Sequence, residues 1–108
     1  MADEGRFLTV LMQGKLIAPS GLTAIQTSSE ANRNYGLGIE VARSTCAGIV
    51  YAHGGSSYAT ASAVIVSRDG DRVAVVLLNG NTLISGFRLD PRAGTAVRAA
   101  ADRLFCAA

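Results

Sequence analysis

The sequence predicts an α+β fold: a small antiparallel sheet of three to four strands, with helices at both ends of the chain. Three observations predict it. Apolar residues recur at helical spacing near each terminus. Between residues 35 and 79 the texture changes to short runs rich in Val, Ile, Thr and Tyr, broken by glycine. Within that region Arg68-Asp69-Gly70-Asp71 separates two such runs, and Asp-Gly between β-rich runs is a strong hairpin signal.

Asp3 suits the N-cap of a first helix over residues 4–13. Phe7, Leu8, Val10, Leu11 and Met12 supply its apolar face, and Gly14 stands where it stops. Pro19 suits the first turn of a short second helix with Leu22 and Ile25 on one side. Residues 27–34 are polar and read as a loop. Tyr35–Val41 alternates glycine with larger residues and reads as a first strand, where glycine lets another backbone or a ligand come close. Gly48–His53, Thr60–Ser67 and Arg72–Asn79 read as the next three. Asp90 and Pro91 open a last helix, running to Phe105, as N-cap and first-turn residue. Val97, Ala101, Leu104 and Phe105 form its apolar stripe, which should pack across the sheet. The run Val73–Leu78 is apolar at every position, whereas a strand with one wet face alternates. It expects cover on both faces and strand neighbours on both sides, and Thr60–Ser67 supplies only one.

The chain has 108 residues, one domain's worth of length. Hydrophobic residues at 49% and charged ones at 17% exclude a disordered tail. A net charge of +2 is too small and too scattered for a nucleic-acid surface. No run approaches the ~18 apolar residues of a membrane span. Residues 1–6 show no basic stretch followed by an apolar core, so no signal peptide is expected, and the chain as written reads as cytoplasmic. One histidine and scattered carboxylates make no metal site, and Gly36-Leu37-Gly38 lacks the third glycine of a dinucleotide fingerprint. No metal and no cofactor are expected. Asp69 and Asp71 read as a solvated hairpin tip. Cys46 and Cys106 fit no zinc spacing. Composition leaves them as two buried thiols or as a disulfide closing a long loop.

Three stretches carry a resemblance: Tyr35-Gly-Leu-Gly-Ile-Glu-Val, Cys46-Ala-Gly-Ile-Val-Tyr-Ala-His53-Gly54-Gly55, and Ser67-Arg-Asp-Gly-Asp-Arg-Val-Ala-Val-Val-Leu-Leu-Asn79. Arg6-Phe7-Leu8 followed by Gly14-Lys15-Leu16-Ile17-Ala18-Pro19 extends it to the N-terminal side. Together they resemble the C-terminal part of the serine penicillin-recognising enzymes, closest to the actinobacterial D-alanyl-D-alanine carboxypeptidases and related to class C β-lactamases. The resemblance covers nearly all of residues 1–108 and implies a single partial domain of the β-lactamase/transpeptidase-like fold. The family uses Ser-x-x-Lys for the nucleophile and its base, Tyr-x-Asn for a proton-shuttling phenol, and a Lys/His-Thr/Ser/Gly-Gly strand at the cleft edge. Only the last is matched, as His53-Gly54-Gly55. Lys15 is the sole lysine, and Met12 stands three residues before it. None of Tyr35, Tyr51 and Tyr58 has Asn or Ser two residues on.

The resemblance implies that His53 helps bind a substrate carboxylate, that Gly54 and Gly55 let substrate lie against the strand, and that the Ser56 backbone N–H points at an oxyanion. The plainer reading of His53-Gly54-Gly55 is a strand end running into a turn. Two departures stand out: Tyr58-Ala59-Thr60 replaces the family's Pro-Gly-Tyr, and Gly54 lacks a hydroxyl. The resemblance further implies a Cys46–Cys106 disulfide and an extracellular setting.

Two functions are expected from this inventory. The first is a fragment of a serine hydrolase acting on D-alanyl peptides, β-lactams or small esters, inactive alone and able to take such a ligand only when complemented by an N-terminal part. The second is a non-catalytic module that binds a partner, or pairs with a second copy as a homodimer, through an open sheet edge. No nucleic acid and no membrane span enter either.

Overall fold

The computed structural model describes residues 2–29, 34–57, 60–79, 83–84 and 88–107. The chain runs α1 (Ala2–Met12), α2 (Pro19–Gln26), β1 (Glu40–Ser44), β2 (Gly48–Ser57), β3 (Thr60–Val66), β4 (Val73–Asn79), β5 (Leu83–Ile84), β6 (Arg88–Leu89) and α3 (Pro91–Ala107). Strands β1 to β4 form one antiparallel sheet in chain order, and β5 pairs with β6. This is the expected α+β layout with one addition. Strands as short as β5 and β6 are too brief to show a period in sequence.

The helix ends follow local chemistry. Gly14 takes φ +75°, its N–H donates to the Leu11 carbonyl, and the Lys15 N–H donates to the Val10 carbonyl. That double bond pattern with a left-handed glycine is a Schellman stop. Asp3 lies inside the first turn of α1 instead of capping it, where a carboxylate still suits the positive helix end. Helix α1 buries Gly5, Leu8 and Met12, while Phe7 is exposed because it stands about a quarter turn off that stripe. At α3 the Asp90 carboxylate accepts from the Arg92 N–H at 2.9 Å, the expected capping contact. Val97, Ala101 and Phe105 are buried at i, i+4 and i+8, and Leu104 turns to solvent.

Strand alternation sorts the sheet into two faces. Val50, Ala52, Ala61, Ala63, Ile65 and Ala74 pack against Val97, Ala101 and Phe105 of α3. Tyr51, Val64 and Val66 pack against Leu8 and Met12 of α1, with Ile39 and part of Leu22. The result is three layers with the sheet in the middle. Strand β4 is covered on both faces over its first four residues, with Val73 and Val75 on the α1 side and Ala74 and Val76 on the α3 side. Among the described residues only β3 pairs with it. No described strand pairs along its outer edge, and Leu77 and Leu78 remain 44% and 37% exposed.

Two strand boundaries differ from expectation. The glycine-alternating segment is no strand at Tyr35: β1 begins at Glu40, and Tyr35 makes a single bridge back to Glu40. Gly38 takes φ +83° to reverse the chain. Gly36 is buried so tightly against α2 that an added Cβ would lie 2.0 Å from the Ile25 carbonyl oxygen. These glycines serve a reversal and a close approach. The strand beginning at Gly48 runs past His53 to Ser57. Cys46, in the β1–β2 turn, forms a disulfide with Cys106 near the end of α3, with the Cα atoms 5.8 Å apart.

Candidate functional site

His53, Gly54, Gly55 and Ser56 follow one another along β2. Strand β1 reaches β2 only from Gly48 to Ala52, its register ending at Glu40 opposite Ala52. Strand β3 accompanies β2 from Tyr51 to Ser57. Among the described residues, therefore, β2 has a strand on one side only from His53 onward. Every second residue there turns its N–H and C=O toward the side that β1 does not reach. Alternation puts His53 and Gly55 on the α1 face and Gly54 and Ser56 on the α3 face. Helix α1 lies at the other end of the sheet, beside Val73, Val75 and Gly70, and leaves His53 exposed.

An open cleft of about 920 Å³ runs along this edge to the N-terminal half of α3, lined by Tyr35, His53 to Ser56, Thr95 and Arg98. Its rim carries an ion pair between Arg98 and Glu40. A Cβ on Gly55 would lie 3.0 Å from Ser62 Oγ, and one on Gly54 3.8 Å from Arg98 Nη2. Gly55 is thus the tighter of the two positions.

The His53 ring is held at both nitrogens. Nδ1 lies 2.6 Å from the Gly54 carbonyl oxygen. A carbonyl only accepts, so Nδ1 carries the proton. Nε2 lies 3.2 Å from Tyr35 Oη and accepts from that hydroxyl in the neutral ring. The two rings are tilted by 59° with centroids 6.2 Å apart. Tyr35 is the residue that sequence reasoning missed. It stands 18 positions before His53, a separation that carries no periodic signal, and only the turn at Gly36–Gly38 brings the two together.

The lysine, Tyr51 and the hairpin carboxylates fall elsewhere. Lys15 sits in the stop of α1, and Tyr51 is buried in the α1-side core. Tyr58 and Ala59, where the family's Pro-Gly-Tyr is replaced, lie outside the described residues. Asp69 accepts from Ser67 Oγ and from the Asp71 N–H, chiefly the latter holding its carboxyl below 3.8. It shapes the hairpin tip. Among the described residues no cluster of metal-ligand side chains is found, and no helix is long and apolar enough to cross a membrane.

Behind the site, Asp102 of α3 ties down the β1–β2 turn. Thr45 Oγ1 and Ser44 Oγ donate to its two oxygens at 2.6 and 2.7 Å. These bonds, Thr45's first, hold the Asp102 carboxyl below its usual 3.8. With the adjacent disulfide they fix the strand pair whose far end is the candidate site.

No family model matches this sequence, and no curated protein matches it. Among solved structures, the chain resembles a D-stereospecific amidohydrolase from Streptomyces sp. with a TM-score of 0.67 and 25% identity, over 99% of this chain and 30% of that one. The chain therefore has the layout of a fragment of an amidohydrolase, β-lactamase-like fold, and spans less than a third of that neighbour. The likeness supports, coarsely, a serine-hydrolase-like origin.

Proposed function

We propose that this chain supplies the substrate-holding edge of a serine hydrolase for D-alanyl peptides, β-lactams or related D-configured amides and esters, without the acylating centre. The observation that carries this reading is the edge of β2 from His53 to Ser56, which β1 leaves uncovered beside an open cleft. An extended peptide adds to such an edge as a further strand. Gly54 and Gly55 let it lie close, His53 meets its carboxylate, and the Ser56 backbone N–H serves as an oxyanion donor. A donor of that kind is worth about 3 kcal/mol to the transition state. The amidohydrolase likeness supports the reaction class. The carboxypeptidase branch and an extracellular setting rest on the motif resemblance, and the disulfide suits an oxidising compartment.

The chain contains no Ser-x-x-Lys. Acylation therefore requires a second segment carrying that motif, for which the outer edge of β4 offers a pairing surface. A fluorescent penicillin should leave no covalent label on the chain alone, and a labelled chain would refute the missing-nucleophile account. With a segment carrying Ser-x-x-Lys paired on β4, titration with a D-alanyl-D-alanine peptide should perturb the amide signals of residues 53–56. Unchanged signals at saturating peptide would sink the edge-binding reading.

The same open edge of β4, with Leu77 and Leu78 exposed, favours a second reading as a self-pairing module. Light scattering should then show a dimer, and Leu77→Lys, which places a charge beside that edge, should return it to a monomer. A monomer at every concentration removes this reading.

A further inference from the structure

We infer that Tyr35 is a positioning residue for His53, its hydroxyl holding the imidazole as the Nδ1–H tautomer at the uncovered edge of β2. The inference rests on the proposed role of that edge, but its geometry stands independently. Nδ1 is committed to the Gly54 carbonyl at 2.6 Å, which leaves Nε2 as the ring atom that accepts a ligand's proton in the neutral ring and that donates to a ligand's carboxylate only once it is itself protonated. Tyr35 Oη stands 3.2 Å from Nε2 and sets where that atom lies.

The seat of Tyr35 is built for the purpose by the backbone around it. The Ser29 N–H donates to the Tyr35 carbonyl at 3.0 Å, Tyr35 bridges to Glu40, and the Val41 N–H donates to the Asn34 carbonyl at 2.9 Å. The next residue, Gly36, is locked against α2 by the close approach to Ile25. The tyrosine thus projects from a fixed turn toward a fixed strand. Its hydroxyl donates to Nε2 in the neutral pair, and an incoming ligand exchanges with it at that nitrogen. Which tautomer a histidine adopts follows from the hydrogen bond its other nitrogen makes, and here both nitrogens agree on the same one.

The chain has one histidine, so the test is unambiguous. Long-range 1H–15N spectra of the whole chain, recorded where His53 is neutral, should show a protonated Nδ1 and a bare Nε2. In Tyr35→Phe, which keeps the ring and loses the hydroxyl, the tautomer ratio should move toward Nε2–H by about fivefold, the factor one net hydrogen bond carries. A wild-type ring protonated at Nε2 overturns the inference without any variant, because such a nitrogen cannot accept from Tyr35. An unchanged ratio in a Tyr35→Phe chain whose amide spectrum stays folded overturns it as well. No ligand is needed, so a failure of D-alanyl peptide to bind would count against the function reading and leave this one standing.

Discussion

Asp102 ties the β1–β2 turn to α3, and its role sets a pH dependence. Its carboxylate accepts from Thr45 and Ser44 and is held below the ordinary carboxylate value near 3.8. A group whose folded pKa is depressed contributes stability that is full above the unfolded value and fades as pH falls through the folded one. Asp102→Asn should therefore lower the unfolding temperature at neutral pH, and the gap to wild type should close in strong acid. A gap that is the same across that range would mean that the charge contributes nothing there. None of this was legible in sequence, because Asp102 and Ser44 are 58 positions apart and meet only in the folded chain. The cleft residues differ in this respect. His53, Gly54, Gly55 and Ser56 are contiguous, so a linear motif brought them out together, whereas their polar neighbour Tyr35 needed the folded turn.

At the scale of elements, the signals that held were those with a period or a cap. The three helices, the Asp-Gly hairpin and the double cover of β4 over its first four residues follow from apolar spacing, from Gly14 and Asp90, and from the apolar run that starts at Val73. The glycine-alternating segment misled because glycine in a strand-like pattern marks either a pleat with a close neighbour or a turn. Here Gly38 makes the turn, and Gly36 makes a close approach to α2 outside any strand. This gives an element-scale test. In Gly36→Ala the new methyl would meet the Ile25 carbonyl at 2.0 Å, so α2 and the turn carrying Tyr35 must separate. The variant should lose about 1–3 kcal/mol, the usual range for forcing atoms into a packed site. It should also disturb the His53 ring signals, because Tyr35 moves with the turn. Denaturant unfolding and the imidazole spectrum check the two effects separately. A stable Gly36→Ala chain with an unmoved His53 would show that the close approach is not needed to seat Tyr35.

The whole molecule is a three-layer sheet held along one side by covalent and hydrogen-bonded ties and open along the other. The closed side is where β1, β2 and α3 meet, through Cys46–Cys106, the Asp102 contacts and the Arg98–Glu40 pair. The open side, among the described residues, is the outer edge of β4. Since β2 lies two strands from that edge, the candidate site depends on the closed side for its position. The disulfide closes a loop of 60 residues. In the loop-entropy picture such a closure stabilises by roughly 4 kcal/mol. For a domain of this length each kcal/mol corresponds to roughly 4–8 °C in the unfolding midpoint. The double variant Cys46→Ser/Cys106→Ser should therefore unfold roughly 15–30 °C below wild type under non-reducing conditions. Alkylation of the native wild-type chain should find no free thiol. If the midpoint falls by only a few degrees, the Asp102 contacts must hold the turn without the crosslink. Adding Asp102→Asn to the double variant would then produce the missing loss. Because Ser44 and Thr45 adjoin Cys46, the losses from the crosslink and the carboxylate should not add independently. That coupling is the measurable sign that the two ties act on one turn, and through it on the register that leaves His53 to Ser56 uncovered.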